Sequence, residues 1–105
     1  MTSDVRNCKN WSAIHDFMPP RPARLRVRGE CAFPTPGFKV TLKRKEPQGI
    51  NPAILVLEKT VVNPTGLEPQ LVTTIVVEYE EKTDQHVSEV LITPDDARIT
   101  VQEIH

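Results

Sequence analysis

"RPARLRVRGECAFPTPGFKVTLKRK", residues 21–45, is the stretch from which the fold can be read. Leu25, Val27, Cys31 and Phe33 alternate with Arg24, Arg26, Arg28 and Glu30, the period-two pattern of a strand with one buried face. Gly29 falls on the apolar side, where it signals a bulge or a close backbone approach. Phe38, Val40 and Leu42 then alternate with Lys39, Thr41 and Lys43 in a second strand. Between the two lies Thr35-Pro36-Gly37-Phe38, in which Pro36 sets the negative φ of a type II turn and Gly37 the positive φ that follows. The expectation is a hairpin with Phe33 facing Phe38, Arg28 opposite Lys43 and Arg26 opposite Lys45.

Working outward, the period persists. "AILVLEKTVV" (53–62) is apolar on both faces at its start, as a strand covered on both sides should be. "QLVTTIVVEYEEK" (70–82) is rich in β-branched residues and alternates again. "HVSEVLIT" (86–93) and "RITVQEIH" (98–105), joined by "PDDA", make a last hairpin in which Thr93 pairs with Arg98, Ile92 with Ile99 and Val90 with Val101. Asn63-Pro64-Thr65-Gly66 has type I turn residues, and "PQGINP" (47–52) is a loop with a proline at each end. In residues 1–20, Ser12 can cap a short helical turn whose Ile14, Phe17 and Met18 fall three and four apart before Pro19-Pro20 end it. That segment is expected to lay Trp11, Ile14 and Phe17 over an end or edge of the core.

The chain has 105 residues and ten prolines, about twice the usual share of proline, which argues against a helical bundle. The sum is an all-β chain folding as a single domain. The expected architecture is an antiparallel β-sandwich, immunoglobulin-like or a small barrel, of six to seven strands over 23–105 with a short N-terminal helical turn.

Charge is divided along the chain. Residues 1–50 hold ten Lys/Arg and four Asp/Glu, or +6, and residues 51–105 hold three and ten, or −7, so the whole-chain value of −1 conceals two opposed halves. The outward residues Arg24, Arg26, Arg28, Lys39, Lys43 and Lys45 form a candidate surface for an anionic partner. Like charges directly opposed across a hairpin are destabilising, so neutralisation is required from outside or from Glu78, Glu80, Glu81 or Glu89. Nucleic acid is disfavoured as the partner: no aromatic is interleaved with the basic positions, and the chain as a whole is not basic.

Other chemistry finds no constellation in the sequence. Cys8, His15, Cys31, His86 and His105 lack the close pairs of a zinc site. Cys31 reads as a small buried hydrophobe and His86 as a solvated residue at a strand end. His15 and Asp16 are adjacent without being aimed at one another, and Glu80 and Glu81 fall on opposite faces. The four glycines are isolated, so no phosphate loop and no cofactor are expected. No apolar run approaches the roughly 20 residues that span a bilayer, and the N-terminus has no signal-peptide pattern. The expectation is therefore a cytoplasmic chain, away from membranes, with both cysteines reduced.

The stretches "RLRVRGECAFPTPGFKVTLKRKEPQGINP" (24–52), "YEEKT" (79–83) and "VQEIH" (101–105) resemble a set of small bacterial proteins to which no activity is assigned. The resemblance implies a bacterial cytoplasmic origin and transfers no functional residue. The functional expectation is a non-catalytic module that binds a protein partner or itself through a strand edge and a charged face. An anion-binding surface on the basic residues is the first alternative, and an enzyme with a site at the "PQGINP" and "NPTG" loops is the second.

Overall fold

The computed structural model describes residues 8–66 and 69–105. Seven strands carry the fold: β1 (Cys8–Asp16), β2 (Arg24–Phe33), β3 (Lys39–Arg44), β4 (Ile54–Val62), β5 (Thr73–Lys82), β6 (Glu89–Thr93) and β7 (Ala97–Ile104). They form one sheet in the order β3-β4-β6-β7-β1-β2-β5. The outermost strands, β3 and β5, lie beside each other without pairing and are bridged by Arg44 and Glu81, so the sheet curls into a nearly closed barrel.

Four expectations of the fold need correction. The N-terminal helical turn is a strand. Ala13, His15 and Phe17 are buried at alternate positions while Ile14 points outward, 37% exposed. Ile14, Phe17 and Met18 imitate helical spacing, but pairing on both sides, with β2 and β7, imposes the extended conformation.

Nor is the sheet purely antiparallel. β1 runs parallel to β7, and β4 runs parallel to β6. A parallel pair needs a long crossover, and between β4 and β6 that crossover is β5 itself, which pairs only with β2.

The third correction concerns the opening hairpin. β2 pairs with β1 and β5, and β3 pairs with β4, so β2 and β3 are never neighbours in the ladder. Gly37 does take the positive φ of the turn, 95°, and Phe33 and Phe38 do meet, their rings stacked at 4.4 Å. They meet inside the barrel rather than across a hairpin. The last hairpin forms, but with Ile92 opposite Ala97 and Val90 opposite Ile99. Asp96 adopts a left-handed φ of 59° and closes the turn two residues tighter than expected. A shift of two leaves every side chain on its own face.

The main core gathers Leu25, Val27, Leu55, Leu57, Val90 and Ile92, all from the inward positions of β2, β4 and β6. A smaller cluster of Cys31, Phe33 and Val77 packs with Phe38, Val40 and Ile75 toward one end. Trp11 bridges the two clusters. A bulge in β1 between Lys9 and Ser12, with Asn10 at a φ of 56°, swings the indole onto Gly29. The glycine therefore serves a close approach, and the bulge belongs to the strand opposite.

Candidate interaction surfaces

The six basic residues singled out from sequence do not share one face. Arg24, Arg26 and Arg28 project from β2, whose neighbour β5 carries the acids. Arg28 stands opposite Glu78 and Arg26 opposite Glu80. Glu80 lies 3.8 Å from the Arg24 guanidinium and 3.6 Å from that of Arg26. On β3, Lys39 stands opposite Val62 and Lys43 opposite Glu58, while Lys45 follows the strand and bonds through its backbone N–H to the Val56 carbonyl at 3.1 Å. The opposed like charges of a β2–β3 hairpin do not exist, because β5 stands between the two strands.

The β2–β5 face is thus a lattice of alternating columns, arginines beside glutamates, with Ser12 and Ile14 of β1 continuing the rows. A shallow groove of about 500 Å³ runs over it, floored by Val27 and Tyr79. Among the described residues, Arg28, Lys39, Lys43 and Lys45 make no ion pair within 4.0 Å; the pairs on this side belong to Arg24, Arg26 and Arg44.

Arg44 holds the seam between the outermost strands. Its guanidinium donates to both carboxylate oxygens of Glu81, at 3.1 and 2.9 Å, and lies 3.5 Å from Glu46. The Tyr79 hydroxyl donates to the same Glu81 at 2.8 Å. Burial of the ring, with the glutamate beside it, pushes the Tyr79 phenol up to about 12. Beside this cluster the "PQGINP" loop roofs a cavity of about 270 Å³. Gln48 shapes that loop by bonding both the N–H and the C=O of Val56, so a side-chain amide extends the sheet. The cavity wall carries no histidine, and its one acid, Glu81, is engaged by Arg44 and Tyr79. The "NPTG" turn does not line it.

Three further groupings have no sequence signature. All three histidines of the chain converge on Phe17. His86 and His105 stack on its ring, at 4.6 and 5.0 Å, and His15 tilts against it at 4.1 Å. Glu103 accepts from both His86 and His105, and those two bonds hold its carboxyl below the usual range. His15 is fully buried and donates from Nε2 to the Thr83 carbonyl at 2.7 Å. Its Nδ1 has no partner among the described residues. The three come from the end of β1, from the residue before Val87 and from the residue after β7, so no spacing could announce them. Among the described residues no cluster of ligands suits a metal ion.

Lys59 is the second grouping. It occupies an inward position of β4 and its side chain is 0% exposed. Its ammonium lies 2.6 Å from Asp95, itself 5% exposed, and 3.1 Å from the Cys8 sulfur. The third is the disulfide. Cys8 and Cys31 face each other across β1 and β2 and are bonded, which corrects the expectation of two reduced thiols. Twenty-two residues separate them in sequence, and only the antiparallel register makes them neighbours.

The strand edges complete the inventory. β5 is the last strand of the sheet; among the described residues its outer edge forms no ladder, and β3 lies beside it across the Arg44–Glu81 seam. Leu71 and Val72 lead into it 61% and 75% exposed, and Val76 on its outer face is 46% exposed. Among the described residues no helix is long and apolar enough to cross a membrane. No protein-family model matches the chain, and neither a curated protein nor a solved structure is significantly similar to it.

Proposed function

We propose that this chain is a non-catalytic interaction module that binds protein through the outer edge of β5 and the charged face beside it. The observation that carries this reading is the open seam: β3 and β5, the outermost strands, lie beside each other yet form no ladder, so their facing edges have no strand partner among the described residues. Strand addition needs no more than that, and flanking side chains supply selectivity. The alternating columns of β2 and β5 offer both signs of charge at a fixed spacing, which favours one partner orientation over others. The same proposal covers the finer architecture. β7 pairs with β6 along 97–100 and with β1 from 101 on, so the halves on either side of it act as two leaves of a β-sandwich.

Light scattering combined with affinity capture tests the reading. A dimer or a stoichiometric protein partner is expected, with amide exchange slowed along residues 73–82 in the complex. A strict monomer that retains no partner at micromolar concentration overturns it.

One observation favours the anion-binding alternative. Arg28, Lys39, Lys43 and Lys45 are left without ion pairs among the described residues. On that reading the protein is retained on heparin with a steep dependence on salt, because each neutralised anion releases counterions.

A further inference from the structure

The two sulfurs of the disulfide sit in unlike surroundings. Cys31 is 0% exposed and packs with Phe33, Val77 and Phe38 in the smaller apolar cluster. Cys8 is half-buried at the start of β1, and its sulfur accepts from the Lys59 ammonium at 3.1 Å. A cation in contact with sulfur matters little to a neutral disulfide and a great deal to a thiolate, which it stabilises. In the dithiol form the charge therefore settles on Cys8, while burial among apolar side chains keeps Cys31 protonated.

We propose that Cys8 and Cys31 are a peroxide-reactive pair, in which Cys8 is the attacking thiolate, held by Lys59, and Cys31 is the thiol that resolves it. The Cys8 thiolate attacks one oxygen of a hydroperoxide, ROOH. A sulfur–oxygen bond forms as the oxygen–oxygen bond breaks, and the alkoxide leaves as ROH on taking a proton from water. Sulfur has then lost two electrons and is a sulfenic acid. The Cys31 sulfur attacks the Cys8 sulfur, the new sulfur–oxygen bond breaks, and hydroxide leaves with the Cys31 proton as water. The disulfide in the structure is the product of that sequence.

The other charges near Cys8 do not cancel the effect. Asp95 also bonds the ammonium, at 2.6 Å, but the tetrahedral N–H directions hold carboxylate and sulfur apart, so each anion is nearer to the cation than to the other. Lys9 and Glu30, the next pair along the β1–β2 ladder, oppose each other with opposite sign. The inference is independent of the interaction-module reading, since neither cysteine lies on β3 or β5.

The test uses the full chain, reduced with a phosphine, freed of reductant and checked by circular dichroism for its fold. Alkylation by iodoacetamide, with peptide mapping, gives a rate at each cysteine. At pH 7 Cys8 should react at least about tenfold faster than Cys31. Its rate should rise less than about fivefold between pH 7 and pH 9, whereas that of an ordinary thiol rises more than about tenfold. In Cys31→Ala the Cys8 rate at pH 7 should fall about tenfold when Lys59→Met/Asp95→Leu is added, and the two proteins should converge at pH 10, where access alone sets the rate. One equivalent of hydrogen peroxide should close the disulfide in the reduced wild type, and in Cys31→Ala should leave a sulfenic acid at Cys8 that dimedone captures. A Cys8 rate that climbs with pH like an ordinary thiol's, a pH 7 rate indifferent to Lys59→Met/Asp95→Leu, no capture at Cys8, or a reduced chain that loses its fold overturns the proposal. Should Cys31→Ala itself not fold, the pH profile of the reduced wild type decides alone.

Discussion

The indole of Trp11 lies flat against Gly29, with its Cε3 2.3 Å from the point a β-carbon at residue 29 would occupy. No real contact of that length exists, so any side chain at 29 must displace the ring. Gly29→Ala is expected to destabilise the fold by about 1–3 kcal/mol, the usual cost of overpacking a filled core. Urea denaturation measures it. Trp11 is the only tryptophan in the chain, so its fluorescence should shift to the red in the folded variant. An unchanged midpoint and spectrum would show that the ring has room to move.

The Cys8–Cys31 bond links β1 to β2, consecutive strands that pair directly, and closes a loop with a sequence separation of 23. Cutting it should cost about 3 kcal/mol on the chain-entropy account. The urea midpoint should fall on reduction with a phosphine and fall equally in Cys8→Ser/Cys31→Ser, which should no longer respond to the reductant.

Lys59 and Asp95 form a buried pair, 0% and 5% exposed. Removing one partner strands the other's charge, so Lys59→Met should destabilise by about 3–5 kcal/mol, whereas Lys59→Met/Asp95→Leu should cost far less. The comparison is made by denaturation of the two variants side by side. If the double variant is no more stable than the single one, the energetics of this site do not lie in the pair.

Tyr79 is the sole tyrosine of the chain, so absorbance at the tyrosinate band reports it directly. Its phenol is raised from 10.0 to about 12, first by burial and then by Glu81. The folded state therefore favours the protonated phenol. The corresponding stability is fully present below pH 10 and is lost as pH rises toward 12. The ionisation midpoint should fall back toward 10 in urea, and Tyr79→Phe should show a shallower loss of stability across that window. A native midpoint near 10 would contradict the burial.

On the charged face, Glu80→Gln removes the carboxylate that Arg24 and Arg26 share. Both partners are exposed, so stability should change by under about 1 kcal/mol. Retention on heparin should nevertheless increase, most clearly in Glu78→Gln/Glu80→Gln, because the arginine column loses its neighbouring acids. Unaltered elution would mean that these acids do not screen the arginines.

How much of this was visible beforehand depends on the range of the interaction. Alternation along β2, β3, β4, β5, β6 and β7 is a local property, and the buried faces follow from it, as does the left-handed Gly37. β1 was hidden because its inward set includes a small Ala13 and a polar His15, while the larger Ile14 and Met18 point outward. Strand order is another matter. The turn at Pro36-Gly37 encourages pairing of β2 with β3, yet β2 takes β5, from across the whole of β3 and β4. Local chemistry cannot express that choice. The candidate surface depends on the same choice: the arginines of β2 and the lysines of β3 fall together only in a hairpin that does not form. The histidines around Phe17 and the Lys59–Asp95 pair likewise arise from contacts between distant segments.

β1 and β7, the first and last strands in chain order, lie side by side, and β7 alone joins β6 to β1. During synthesis, six strands leave the ribosome before the one that connects them does. Until β7 emerges, β1, β2 and β5 can form one ladder and β3, β4 and β6 another, each with an open flank where the last strand belongs. The completed sheet therefore waits on β7, and until that strand is available two sticky flanks stay exposed. A chaperone that covers extended segments should engage the chain most strongly when β6 has emerged and β7 has not.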